Sequence, residues 1–308
     1  MFNKKLINFF IKLIITLLFL WWIIFKIDWQ EVWIYLQRVS FLQIGAYVAF
    51  YFLGMLISSY KWKLLASVNY IVEVPLEKFF KYYFAATFIN NFMPSFVGGD
   101  AFKAYRIGKF EKKYKEAVSS VIMDRLTGLW GAMILAIVFA ILNLKIIMQH
   151  QILLIIIISM IVLLAVSFFA FKNPKVFNII PMRITQSFFQ KAVKEVNGYS
   201  ENGNAICRAV LFSFLFNFIG LAGANYILFL AMDIQMGILN YLSVIFLISI
   251  VSSIPVTINN IGVKEWAYIT FFGFFGIASS AVLAVAILSR ILQMLLSLFS
   301  WPIYLRNK

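Results

Sequence analysis

Asn90-Asn91-Phe92-Met93-Pro94-Ser95-Phe96-Val97-Gly98-Gly99-Asp100 closes an apolar block at residues 79–97, yet its chemistry is wrong for a helix facing lipid. Two side-chain amides, a proline that removes a backbone donor, and paired glycines that break helical continuity would leave polar groups unsatisfied in hydrocarbon. Such a stretch survives at membrane depth only where protein shelters it or where it lines a polar cavity. It therefore reads as the tip of a broken helix, and the rest of the chain must supply the shelter.

The composition leaves little room for another solvent. Of 308 residues, 63% are apolar and only 13% charged, about half the charged fraction of an ordinary soluble domain. Seven further apolar blocks surround the first, at 6–26, 39–60, 117–142, 152–171, 206–232, 239–255 and 278–302. At about 20 residues per crossing, eight segments nearly exhaust the chain. One cysteine, Cys207, and one histidine, His150, exclude an intrachain disulfide and a Cys/His metal site. No metal and no cofactor is expected. The net charge of +15 resides in lysines and arginines flanking the apolar blocks, where anionic headgroups attract them, so it marks topology and not nucleic acid.

Those charges reduce eight segments to six crossings. Lys4, Lys5 and Lys12 place the N-terminus in the cytoplasm, and the connection 26–38 crosses as a loop. The second span, 39–60, is closed by Lys61, Trp62 and Lys63, an interfacial signature. The connections on both sides of block 79–97 are basic, the second carrying Lys103, Arg106, Lys109, Lys112, Lys113 and Lys115. Both ends therefore face the cytoplasm, and the block is a re-entrant hairpin broken at Pro94, Gly98 and Gly99. The main cytoplasmic loop is 172–208, and the segment 233–240, without a basic residue, is external. Block 239–255 becomes a second re-entrant arm, and Arg306 and Lys308 return the C-terminus to the cytoplasm.

The second break, Ser252-Ser253-Ile254-Pro255-Val256-Thr257-Ile258-Asn259-Asn260-Ile261-Gly262-Val263-Lys264-Glu265, repeats the first in order. Each is followed by one intramembrane arginine, Arg125 at 31 residues from Pro94 and Arg290 at 35 from Pro255. Two halves, 1–145 and 146–308, of opposite orientation make an inverted repeat, the architecture in which transporters place sites at helix breaks. Asp124, Arg125 and Arg290 lie inside apolar spans, where a charge costs about 2.5–3.5 kcal/mol unless it faces protein, water or a partner. Asp124 and Arg125 are either a structural ion pair or, pointing about 100° apart, serve different partners. Asp100 either caps the helix after the glycines or enters the site. Free N–H groups at the helix start near Gly262 suit an anion, while Lys264 and Glu265 fall on the return arm, in the site or at the interface beside Trp266.

The pairing of Asn91 through Pro94 to Gly98-Gly99-Asp100, Tyr105-Arg106 and Asp124-Arg125 with Pro255 to Gly262-Val263-Lys264-Glu265 resembles the lysylphosphatidylglycerol synthase transmembrane, flippase-like family, over roughly residues 6–301. The resemblance implies a polytopic domain that, in bifunctional members, moves a modified phospholipid between leaflets after a cytosolic domain has aminoacylated it. This chain ends at Lys308 without such a domain, so aminoacyl transfer is not assigned to it. Stand-alone members are associated with glycosyltransferases and polyprenyl-lipid pathways. The second break reads Thr-Ile-Asn-Asn-Ile-Gly where the family more often carries additional glycine.

The combined expectation is an all-α polytopic protein of the cell membrane with six spans and two re-entrant hairpins. It is a non-enzymatic translocator of an anionic phospholipid or polyprenyl-phosphate lipid. Arg106, Arg125 and Arg290 contact phosphate; Asp100 and Glu265 pair with those arginines or with a cationic headgroup; Asn91, Asp124 and Lys264 complete the substrate-binding set. Pro94, Gly98, Gly99, Pro255 and Gly262 shape the breaks. The rival readings are a membrane-embedded transferase with Asp100 or Glu265 as base, and a scaffold for a glycosyltransferase. Membrane lipids and a lipid-modifying enzyme are the expected partners, with a homodimer left open.

Overall fold

The computed structural model describes residues 4–92, 98–173, 198–254 and 256–306, and among these every apolar block is helical. Pro94 and Pro255 lie outside the described residues, as does most of the basic loop between residues 173 and 198. In chain order the helices are α1 (Lys4–Lys26), α2 (Trp29–Gln37), α3 (Phe41–Val68), α4 (Leu76–Phe92), α5 (Gly98–Glu111), α6 (Tyr114–Leu142), α7 (Leu144–Ile147), α8 (Gln151–Lys172), α9 (Gly203–Ala231), α10 (Ile238–Ser253), α11 (Val263–Gly273), α12 (Ser279–Leu298) and α13 (Trp301–Arg306). Among the described residues there is no strand.

Five of these, α3, α6, α8, α9 and α12, are long and apolar enough to cross a membrane, and α1 with α2 makes a sixth if the bent pair counts as one span. The bend between α1 and α2 is 85°. It corrects the expectation of a loop at 26–38. Asp28 supplies the helix start that the loop reading overlooked, its carboxylate accepting the N–H of Gln30 at 2.9 Å and of Glu31 at 3.3 Å.

α3 corrects a second expectation. Lys61 and Trp62 do not close the span at an interface; the helix continues to Val68 and both side chains are buried. Trp62 has no exposed surface and donates its indole N–H to Ser120 at 3.0 Å, while Tyr199 hydroxyl reaches the Leu65 carbonyl at 2.8 Å. At 28 residues α3 is about 42 Å long, so it can cross the roughly 30 Å hydrocarbon core and still bury its polar end against α6.

The packing of α9 across α3 is set by small residues. A Cβ on Gly54 would collide with the backbone of Gly220, and α9 is wound as a π-helix over Phe216–Gly223 at this crossing. One large apolar core of Tyr241, Phe246, Phe229, Phe272 and their neighbours joins α3, α6, α9, α10, α11 and α12. A smaller one around Trp62, Phe79, Ile107 and Val121 packs α4 and α5 against α3 and α6.

Candidate functional site

α5 returns along α4 because residue 99 is glycine: any Cβ there would strike the Ala86 carbonyl oxygen and the Asn90 amide. The Gly99 N–H instead donates to Asn90 Oδ1 at 3.1 Å. Asn90 thus satisfies the start of α5, and Asp100 is released from capping. Its carboxylate sits in the first helical turn, where the helix dipole favours negative charge, and turns toward cations. Lys103 Nζ lies 3.2 Å from Asp100 Oδ1, and the Arg125 Nε donates to Asp100 Oδ2.

Asp124 binds the other side of the same lysine. Lys103 Nζ is 3.4 Å from Asp124 Oδ2 and lies over the rings of Tyr83 and Trp62, at 4.4 and 5.1 Å from their centroids. Lys61, from α3, approaches Asp124 Oδ1 to 3.0 Å and donates to the Asp124 backbone carbonyl at 2.8 Å. The adjacent residues of α6 therefore serve different partners, as their angular separation on a helix requires. Three cations and two carboxylates form one chain of contacts, Lys61–Asp124–Lys103–Asp100–Arg125.

This chain lines a cavity of about 480 Å³, together with Ser58, Tyr83 and Asn90 on one side and Asn217, Ser249 and Ser253 on the other. The π-wound segment of α9 contributes Asn217, and α10 contributes both serines. Arg125 is the most accessible of the cations, 39% exposed against 5% for Lys61 and Lys103.

A second charged group forms at the other break. Arg290 Nε donates to Glu265 Oε1 at 2.7 Å, and its terminal nitrogens donate to the carbonyls of Asn259 at 3.2 Å and Asn260 at 3.0 Å. Glu265 Oε2 accepts the Gly262 N–H at 2.7 Å, so the donor expected to suit an anion already holds a carboxylate of its own helix. Gly262 is conformationally required, with φ of +87° and Phe19 packed where a Cβ would stand. Trp266 packs edge-on against Phe19 as well, so it belongs to the contact between α1 and α11. Lys264 Nζ donates to Ser289 Oγ at 2.8 Å. In both groups a carboxylate near a helix start pairs with an arginine 25 residues later.

The two breaks touch. The Asn259 amide donates to the Asn91 carbonyl at 3.0 Å, and the Asn91 amide to Ser297 Oγ at 3.0 Å on α12. The lysylphosphatidylglycerol synthase TM region family matches residues 9–300. The chain belongs to that family. No curated protein matches it. Family membership and the long apolar helices make it a multi-pass membrane protein.

Within this family member, Asp100, Asp124 and Arg125 come together in the cavity, while Lys264, Glu265 and Arg290 gather at the second break, with Asn91 bridging the two. Arg106 is not among the residues lining the cavity; its guanidinium lies 5.4 Å from the Tyr82 ring centroid. Gly98 begins α5 as a half-buried residue. Sequence reasoning assigned Lys61 to an interface and Lys103 to a loop, and the structure makes both part of the charged chain. The signal for Lys103 was available: three residues after Asp100 it falls on the same helix face. For Lys61, three helices away on α3, no local spacing points to Asp124.

Proposed function

We propose that the chain translocates a lipid with an anionic headgroup through the central cavity, the acyl or prenyl chains remaining in the bilayer. The observation that supports this reading most directly is charge. Lys61, Lys103 and Arg125 against Asp100 and Asp124 leave a formal +1 among the residues lining one cavity, in a region where uncompensated charge is costly. An anion entering the cavity completes the balance, and Arg125 is placed to meet it. Ser58, Asn90, Asn217, Ser249 and Ser253 offer further hydrogen bonds to headgroup oxygens.

In this reading the halves 1–145 and 146–308 are inverted repeats, and α4–α5 and α10–α11 are their re-entrant hairpins. The equal 25-residue spacing of the Asp100–Arg125 and Glu265–Arg290 pairs supports it. Rocking of one half against the other, about the Asn91–Asn259 contact, alternates access to the cavity. Both termini face the cytoplasm of a plasma-membrane protein.

Orientation has a direct measurement. Lys112 is exposed in the turn between α5 and α6, and Lys112→Cys in a Cys207→Ser background should react with an impermeant thiol reagent only after the cytoplasmic face is opened. Reaction in intact cells would exclude the re-entrant arrangement. Function is tested by headgroup accessibility in sealed proteoliposomes. Arg125→Ala and Asp100→Ala are expected to reduce leaflet transfer at least tenfold. Wild-type transfer by both variants would overturn translocation through this cavity, and product formation in detergent would assign a transferase instead.

A further inference from the structure

A second cavity, of about 630 Å³, lies between α6, α8 and α9, with Trp130, Ile161, Phe168, Phe171 and Ile206 among its walls and Lys172 at its end. It is on the far side of α6 from the charged chain. Trp130 stands two residues beyond Gly128 of the central cavity, about 200° around the helix. We propose that this groove is a binding site for one anionic membrane phospholipid, an acyl chain lying against α6 and α8 and the phosphate meeting Lys172, separate from any lipid in transit.

Size and length fit a lipid tail. The volume is about four times that of the roughly 150 Å³ apolar cavity known to admit benzene, too large to be left to small solutes. From Ile161 to Lys172 the wall runs eleven residues along α8, about 16 Å at 1.5 Å per residue. That is half of the roughly 30 Å hydrocarbon core, so the groove spans one leaflet and places Lys172 at headgroup depth.

The groove also opens onto the bilayer. α8 packs along α6, while its Ile155, Ile158, Val162, Val166 and Phe169 point outward into lipid. The walls are firmly set: Trp130 is held by a 2.9 Å bond to Ser167 and by ring contacts with Phe168 and Phe171, and Tyr199 is tied to α3. Polar chemistry is confined to the Lys172 end, where Tyr199, Ser200 and Gly203 also line the groove. Gly203 opens α9, which has no side-chain cap on its first turn, so backbone N–H groups add to the positive field of Lys172. Among the described residues no carboxylate lines the groove. In the central cavity carboxylates compensate most of the positive charge; here they do not, and a choline or ethanolamine group would find no counter-charge. Basic pockets between membrane helices select anionic headgroups on these grounds.

Native mass spectrometry of the full chain, carrying Arg125→Ala so that the central cavity does not contribute, would measure lipid retained from an equal mixture of phosphatidylglycerol and phosphatidylcholine with matched acyl chains. One phosphatidylglycerol per chain is expected, favoured at least fivefold. Ala165→Trp, which fills the groove, and Lys172→Glu, which reverses its charged end at an exposed position, should each lower retention at least fivefold. Equal retention of the two lipids, or retention unchanged in both variants, would overturn the proposal.

Discussion

Asp124→Ala is expected to cost the protein most of its stability, about 3–5 kcal/mol, the range for removing one partner of a buried ion pair. Lys61 and Lys103 are each 5% exposed, and Asp124 contacts both. Without it Lys103 keeps one carboxylate, Asp100 at 3.2 Å, beside the Tyr83 and Trp62 rings, and Lys61 keeps a backbone carbonyl. Folded proteins are stable by only about 5–15 kcal/mol, so yield of monodisperse protein should collapse. The pair Lys61→Met with Asp124→Leu removes the unpaired charge together with its partner, and apolar replacement of a buried pair is often neutral. That double variant should recover most of the melting temperature while losing leaflet transfer, which separates the structural cost from the functional one. If Asp124→Ala melts within about 2 °C of wild type, the buried chain of ion pairs does not exist in the folded protein.

The difference between the two lysines shows how far the sequence could be read. Helix positions followed from apolar blocks, because hydrocarbon leaves the backbone no alternative to internal hydrogen bonding. Among the described residues each of the eight blocks is helical, most ends shifted by a few residues and the end of α3 by eight. The breaks followed from amides, glycines and prolines at membrane depth. What stayed hidden is pairing across distant segments. Lys61 looks interfacial because it stands between Tyr60 and Trp62 at the end of an apolar run; only the carboxylate of Asp124, 63 residues away, lets the helix carry it inward. Thr16 is similar: an isolated hydroxyl in an apolar span that accepts the Ile258 N–H at 3.1 Å and so ties α1 to the second break. The short helix α2 escaped for another reason, whereas the start of α11 near Gly262 was legible. At nine residues α2 is too short to register as a block, and its start is set by Asp28.

Arg290→Ala is expected to remove both stability and transport, and Arg290→Lys to rescue neither. Arg290 joins Glu265 to two backbone carbonyls on residues 259 and 260, where Asn259, Asn260 and Gly262 all have positive φ, at 51°, 55° and 87°. For the two asparagines such conformations persist only where surrounding contacts over-determine them, and the guanidinium supplies three contacts around the break. A lysine offers one compact ammonium in place of a planar fork, so it can hold Glu265 or the carbonyls but not the set. Losing the arginine strands a carboxylate that is 8% exposed and frees the break to relax, which displaces Asn259 from Asn91 and uncouples the two breaks. Leaflet transfer should fall below a tenth of wild type, and the melting temperature should drop by several degrees. Arg125 makes the opposite case. It is 39% exposed and lines the cavity, so if the cavity takes an anionic headgroup as proposed, Arg125→Lys preserves the cation that meets it and should retain substantial transfer with near-normal melting. Measured side by side, the two lysine variants assign one arginine to the scaffold of the break and the other to the cargo. Near-wild-type melting and transfer for Arg290→Lys would show that the fork does not hold the second break.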